Sequence, residues 1–402
     1  MYSALAVLVV AAFLLAGPSA GAGTSSFVVY GCSDPSGQRQ GTDLCRVDLD
    51  GRGRRRLIAD AQTSSDYTHP SLSAGSRPQL AFGRGLPTGG LFEASIDMSG
   101  SRPVGGGTIW RVAISPAGDR VAYVETEDPL PSEPQGSQTP VLFTVRSDGS
   151  DRRTWGRRLT DPTWLGNQLV AVLGGVDGGS QVCVLREGTG QCERTLASLP
   201  EGQLKEPAVS PDRAIVAVVA ERDSPQLFPG IYLFSTKTSG RVDGPIGTNV
   251  SRHPAWSPDG RALAYGDAGA IYVQRRPPGA GGYQLVRRGA GELAWGGISG
   301  QRSPRLRVRS VVVRGRQVTI RGTIARKARA ALRVEFARGG GVVRSRIFWR
   351  RAHHGRFGFR YRIPHENPAD GFFSCGLFVS YPGDTTFGWG YARRVPRGGA
   401  CG

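Results

Sequence analysis

The sequence predicts an all-β protein, a six-bladed β-propeller closed by a C-terminal strand and followed by an Ig-like β-sandwich. Three observations carry this. A short segment recurs along residues 26–300 at near-constant spacing, helical periodicity is absent there, and the last hundred residues alternate apolar with polar under an abruptly different charge.

The chain opens on "MYSALAVLVVAAFLLAGPSAGAG". This is an apolar run of about fourteen residues, short for a bilayer span, and it ends on an A-x-A site at Ala20-Gly21-Ala22. A signal peptide over 1–22 is expected, although no Lys or Arg precedes the run. The mature chain then begins with two strand-like stretches, "FVVYGC" from Phe27 and "LCRVDLDGRGRRRLIA" from Leu44.

The repeat is clearest at His253, in "HPAWSPDGRALAYGDAGAIYVQRR". Ser257-Pro258-Asp259-Gly260 is a turn: Pro presets φ, Asp bonds its own backbone, and Gly accepts a positive φ. Apolar stretches on either side read as antiparallel strands. Aligned on Trp256, further copies centre on Leu72, Ile114, Trp164, Val209 and Trp295, at spacings of 42, 50, 45, 47 and 39 residues. A second strand–turn–strand element follows each copy, from Leu91, Leu142, Val182, Ile231 and Ile271. Four strands in each unit of 40–50 residues is the pattern of propeller blades. The copy at Trp295 stops after one strand, and the N-terminal strands lack an inner one. The C-terminal strand is therefore expected to complete the first blade and remove its open edge.

The W-S-P-D-G-x-x-(L/V)-A-(Y/F) core, with its following I-Y-x-x-x-x-D-G-S-x-x-R, resembles the TolB-like family of propeller repeats, also called PD40 or WD40-like. The resemblance covers roughly residues 26–300, and is strongest at Trp256–Tyr265 and Ser115–Val124. It implies a binding scaffold whose partners meet the rim of the central channel. The loops Glu125–Pro140 and Arg222–Gly230 are the expected contact elements.

The net charge of +19 is uneven. From Gln301 onward 22 Lys and Arg face 4 Asp and Glu, a net of +18, which leaves +1 for everything before. The shift places a boundary between a propeller at 23–300 and a basic domain at 301–402. Strands such as "RLRVRSVVV" and "GRFGFRYRIP" alternate at period two, as in a sandwich. The stretch "VSYPGDTTF" from Val379 resembles the end of bacterial Ig-like domains. Arg305, Arg307 and Arg309 on one strand, and Arg356, Arg360 and Arg362 on another, face solvent as candidate contacts for an anionic partner. The competing reading is compositional, since Arg is used nearly everywhere and only three residues are Lys.

Six cysteines form three local couples, Cys32–Cys45, Cys183–Cys192 and Cys375–Cys401. Their even number in an exported chain implies disulfides rather than a metal site, which would use C-x2-4-C spacing. No nucleophile elbow, H-E-x-x-H, Walker loop or dinucleotide fingerprint is present. His69 and His253 share one phase of the repeat, but two histidines in six copies do not make a ring of ligands. His353-His354 sits among arginines, and Asp48 and Asp50 lack the partners of a calcium loop. The expectation is a secreted or cell-envelope protein, non-enzymatic, monomeric, without metal or other cofactor. It would bind a protein or an envelope polymer rather than nucleic acid, with weak attraction to anionic surfaces. The alternative is a carbohydrate-active or peptidase-related enzyme, which a pair of carboxylates converging on the channel would mark.

Overall fold

The computed structural model describes residues 26–394, apart from a few single positions and stretches chiefly at 34–41, 59–66, 85–88, 128–138, 175–178, 222–227, 276–281, 287–289, 298–301, 338–345, 363–375 and 382–386. The expected signal peptide at 1–22, most of the two long loops, and both Cys375 and Cys401 lie outside the described residues.

Among the described residues every regular element is a strand. The first three, β1 (Phe27–Ser33), β2 (Thr42–Asp48) and β3 (Arg55–Ile58), make an antiparallel sheet whose fourth member, β24 (Ala290–Gly296), comes from more than 230 residues downstream. Phe27 pairs with Gly296, Val28 with Trp295 and Tyr30 with Leu293. The orphan copy at Trp295 thus completes the incomplete N-terminal unit, as the repeat arithmetic requires.

Five more four-stranded antiparallel sheets follow in chain order, β4–β7 (67–105), β8–β11 (109–157), β12–β15 (159–199), β16–β19 (203–246) and β20–β23 (251–286). Their first strands are β4 (Tyr67–Leu72), β8 (Ile109–Ile114), β12 (Leu159–Leu165), β16 (Gln203–Val209) and β20 (Ser251–Trp256). Each of these packs on the next, β20 on β24, and β24 on β4, so the inner strands meet in a closed cycle. This is a β-propeller arrangement.

The middle strands show why the fold needs such apolar sequences. On β17 (Ile215–Glu221), Val216, Val218 and Ala220 enter one core cluster while Ile215, Ala217 and Val219 enter the next. A strand buried on both faces reads as a continuous apolar run rather than an alternating one. Each such Val contributes about 1.5–3 kcal/mol of burial. The turns close as their residues dictate. Ser257 Oγ donates to Asp259 Oδ1 at 2.7 Å and accepts from Ala262 N at 2.9 Å, and Gly260 takes a φ of 68°. The tryptophans tie neighbouring sheets: Trp256 Nε1 donates to Ala208 O and Trp164 Nε1 to Ala113 O, both at 2.9 Å.

Two couples are disulfides, Cys32–Cys45 and Cys183–Cys192, with Cα atoms 5.8 and 5.3 Å apart. Both span adjacent strands diagonally, since Tyr30 rather than Cys32 is directly opposite Cys45, and Leu185 is directly opposite Cys192. Such bridges belong to oxidising compartments outside the cytoplasm.

Beyond residue 302 lie two sheets. One has three strands, β25 (Arg307–Arg314), β26 (Gln317–Thr323) and β29 (Arg356–Arg362). The other has the order β28-β27-β30-β31, formed by β27 (Ala331–Ala337), β28 (Arg346–Arg351), β30 (Gly376–Tyr381) and β31 (Gly390–Arg394). Val311, Val318, Ile320, Phe357 and Phe359 from the first share one core with Val379 and Tyr381 from the second. The two sheets therefore pack face to face.

Candidate functional site

Three residues before each repeat's core position, every inner strand carries a polar side chain: His69, Arg111, Asp161, Glu206, His253 and Glu292. The structure brings all six together around a cavity of about 110 Å³ at the ring's axis. The pairing of five inner strands slips at this phase, a β-bulge that re-aims His69, Asp161, Glu206, His253 and Glu292; on β8 the slip falls one residue earlier, at Trp110, and Arg111 pairs with Val124. His69, Asp161, Glu206 and His253 also take φ between 48° and 56°, a left-handed backbone unusual for residues with a side chain. Such conformations cost about 1–3 kcal/mol each and concentrate at functional sites.

The bulge turns backbone N–H groups toward the neighbouring sheet's carboxylate. His253 N donates to Glu206 Oε2 at 2.6 Å, and the His253 Nδ1 lies 3.1 Å from Oε1. Glu292 holds His69 the same way, through the His69 backbone N–H and an Nδ1 at 2.5 Å. Arg111 fills the centre. Its Nε lies 2.6 Å from Asp161 Oδ1, its Nη2 2.9 Å from Glu206 Oε1 and its Nη1 2.9 Å from Glu292 Oε1. One guanidinium thus bridges acids from three sheets, which its planar fork allows and an ammonium would not.

Charge does not balance through arginine alone. Three carboxylates face one permanent cation, so with neutral imidazoles the cluster carries −2. Burial works to raise Glu206, but the hydrogen bond and charge of His253, with Arg111, outweigh it and hold the acid at about 2. Glu292 is likewise lowered against its burial by His69 and Arg111. Asp161 goes the other way, raised by burial despite Arg111. Burial also lowers His69. Carboxylates pushed apart in this way can hold and release a proton in one site. Among the described residues no group of three or more His, Cys, Asp or Glu is set to hold a metal. The expectation at this phase rested on its two histidines alone, as possible metal ligands; the other four positions are charged, and with His69 and His253 they surround the channel.

The basic domain carries a second candidate. Cross-strand register aligns Arg307 with Thr323 and Arg356, Ser310 with Arg321 and Gly358, Val312 with Thr319 and Arg360, and Arg314 with Gln317 and Arg362. These rows share one face of the three-stranded sheet. Arg307, Arg314, Arg321, Arg356, Arg360 and Arg362 are all exposed there, and none has an ion-pair partner among the described residues. Of the six arginines expected as contacts, four join this face. Arg309 falls in the bulge between Val308 and Ser310, and Arg305 precedes the strand in a left-handed turn with φ 49°. Arg314 and Arg321 were missed: the bulge at Arg309 shifts the parity that puts Arg314 on this face, and only the strand register shows that β26, with Arg321, joins the two stripes. His353 and His354 are exposed in the turn before β29.

No family model matches the chain, and no curated protein does. Similar solved structures include the β-propeller domain of the Trilobed protease from Pyrococcus furiosus, at 8% identity and a TM-score of 0.36 over 79% of this chain and 91% of that one. An acylaminoacyl peptidase is 10% identical with a TM-score of 0.40 over 81% of this chain, and the tricorn protease is 13% identical with a TM-score of 0.38 over 89%. The chain spans 49% and 42% of the lengths of these last two. Likeness this distant carries no argument about activity. The expectation of a non-enzymatic chain is withdrawn: carboxylates do converge on the channel, the mark set for the enzyme alternative.

Proposed function

We propose that this is an exported propeller protein of the cell envelope or extracellular space that holds a polyanionic envelope polymer against the arginine face of its C-terminal domain. In this reading residues 1–22 are a signal peptide, 23–300 a six-bladed TolB-like ring and 301–402 an Ig-like sandwich. The observation that carries it is the single exposed face bearing Arg307, Arg314, Arg321, Arg356, Arg360 and Arg362. Like charges gathered on one sheet without counter-charges repel one another and destabilise the domain. A polymer of regularly spaced anions relieves that repulsion and accepts bidentate guanidinium contacts. The two disulfides and the leader sequence support export.

The test is co-sedimentation of mature protein with insoluble anionic wall polymer, and with the same polymer after its anionic groups are removed. Binding only to the charged form is expected, lost in the variant Arg321→Gln/Arg356→Gln/Arg360→Gln with its melting temperature unchanged. Equal binding by that variant rules the reading out.

A second reading places ligand binding or acid–base chemistry at the axis. It is favoured by the convergence of Asp161, Glu206 and Glu292 on one small cavity. Glu206→Gln and Asp161→Asn distinguish the two, since neither touches the arginine face.

A further inference from the structure

The inner hairpin of the fourth sheet in chain order departs from its neighbours. Between Ile114 and Val121, Val209 and Val216, and Trp256 and Leu263, the turn has a common length, but between Trp164 and Leu169 it is two residues shorter. The strands close on the pair Leu165–Gln168 around Gly166 and Asn167, with Gly166 at φ 65°. Where the longer turns carry Ser-Pro-x-x, this turn borders a cavity of about 180 Å³ against the third sheet.

The chemistry of the cavity is specific. Trp155 and Trp164 line it, and each indole N–H is already engaged within the protein, with Thr144 Oγ1 and Ala113 O at 2.9 Å. With their polar edges satisfied, the indoles offer only ring surface. At the rim, the side chains of Asn167, Gln168 and Glu193 are exposed and have no partner among the described residues. Two of them both donate and accept, and one accepts twice. The cations present are already matched. Arg120 and Arg153 both pair with Asp151, and Arg153 also reaches Glu187 at 3.1 Å. With Glu193 counted, these charges sum to −1, so the cavity disfavours an anion. The Cys183–Cys192 bridge ties the hairpin that bears Glu187 and Glu193.

An aromatic wall beneath amide and carboxylate groups unpaired among the described residues, in a lining whose two arginines are both matched, suits a ligand with an apolar ring face and a rim of hydroxyls. We propose that this notch binds a neutral saccharide unit. Trp155 is the platform, and Asn167, Gln168 and Glu193 bond its hydroxyls. The site is independent of the arginine face, and its binding does not depend on salt.

The test is calorimetric titration of the mature full-length protein with neutral trisaccharides of glucose, galactose, mannose and N-acetylglucosamine, and with trigalacturonate as the anionic control. Tryptophan emission is followed in parallel. Saturable binding of at least one neutral trimer is expected, with a Kd no weaker than about 1 mM, unchanged in high salt, and with a shift in emission. Asn167→Ala and Gln168→Ala are exposed changes that leave folding intact, and each lowers affinity about tenfold, the loss of one hydrogen bond. Trp155→Phe keeps an aromatic wall and binds measurably, whereas Trp155→Ala abolishes binding. No saturable binding of any neutral trimer overturns the proposal. So does equal binding of trigalacturonate, or an Asn167→Ala/Gln168→Ala protein that binds as tightly as the parent.

Discussion

Replacing Arg111 by Met removes the one permanent cation at the axis while keeping most of its apolar stem. Three carboxylates lose a partner within 2.6–2.9 Å. Two of them are deeply buried, with Asp161 and Glu206 side chains only 8% and 9% exposed. Breaking a buried ion pair by deleting one member costs about 3–5 kcal/mol, because the other charge is left uncompensated. Domains of this size lose roughly 2–4 °C in Tm per kcal/mol, so a fall of about 6–20 °C at pH 7.5 is expected. The sign of its pH dependence is diagnostic. Carboxylates stripped of their cation hold protons more tightly in the folded ring, so the deficit relative to the parent shrinks as pH is lowered to 5. Arg111→Lys keeps a charge but cannot span three acids, and should lie between the two. Urea unfolding of the three proteins at pH 5 and 7.5 measures this. A Met variant within about 1 kcal/mol of the parent, or a deficit equal at both pH values, would refute the assignment of Arg111 as the ring's central tie.

Three further outcomes are expected. Glu206 titrates near 2 in the folded ring, against an ordinary value of 4.5. Its contribution is therefore complete above about pH 5 and lost as pH falls toward 2, on the order of 3 kcal/mol. His69, lowered by burial, adds to acid destabilisation below about pH 6.5, while the raised Asp161 offsets part of it. The urea midpoint of the parent should fall between pH 6 and 3 by more than that of Glu206→Gln. Non-reducing peptide mapping should recover Cys32–Cys45, Cys183–Cys192 and Cys375–Cys401, and reduction of each of the first two should cost about 2–4 kcal/mol; a crossed bridge contradicts the local pairing. Deleting Glu292–Gly297 removes the strand paired with Phe27 to Tyr30 and should abolish the parent's cooperative melt, whereas an unchanged transition rules out closure through β24.

The ring was legible because its devices are local. A Ser-Pro-Asp-Gly turn and its flanking apolar strands repeat themselves, and the missing inner strand before Phe27 matched the orphan at Trp295. The axial cluster was harder to see. His, Arg, Asp, Glu, His and Glu share neither identity nor sign, only a phase, and each lies in or beside a bulge that side-chain alternation does not foretell. One signal was present: the next residue is proline in four copies, Pro70, Pro162, Pro207 and Pro254. Proline at one phase of a paired strand marks a place where the ladder must break. The arginine stripes on β25 and β29 followed from alternation, but their union through Arg321 depends on β26 lying between them, a non-local fact. Arg309 shows the converse, since alternation put it on the stripe and a bulge took it off.

The arginine face is tested most directly by the salt dependence of binding. The affinity of the mature protein for a soluble polyanion such as polyphosphate would be measured across salt concentrations, beside the Arg321→Gln/Arg356→Gln/Arg360→Gln variant. Release of condensed counterions makes log K fall linearly with log salt, by somewhat less than one unit of slope for each cation engaged. The predicted result is a steep slope for the parent, shallower by between two and three units in the variant, with both proteins folded alike. Parallel slopes, or affinity indifferent to salt, would contradict the account, and the arginines would then be a matter of composition.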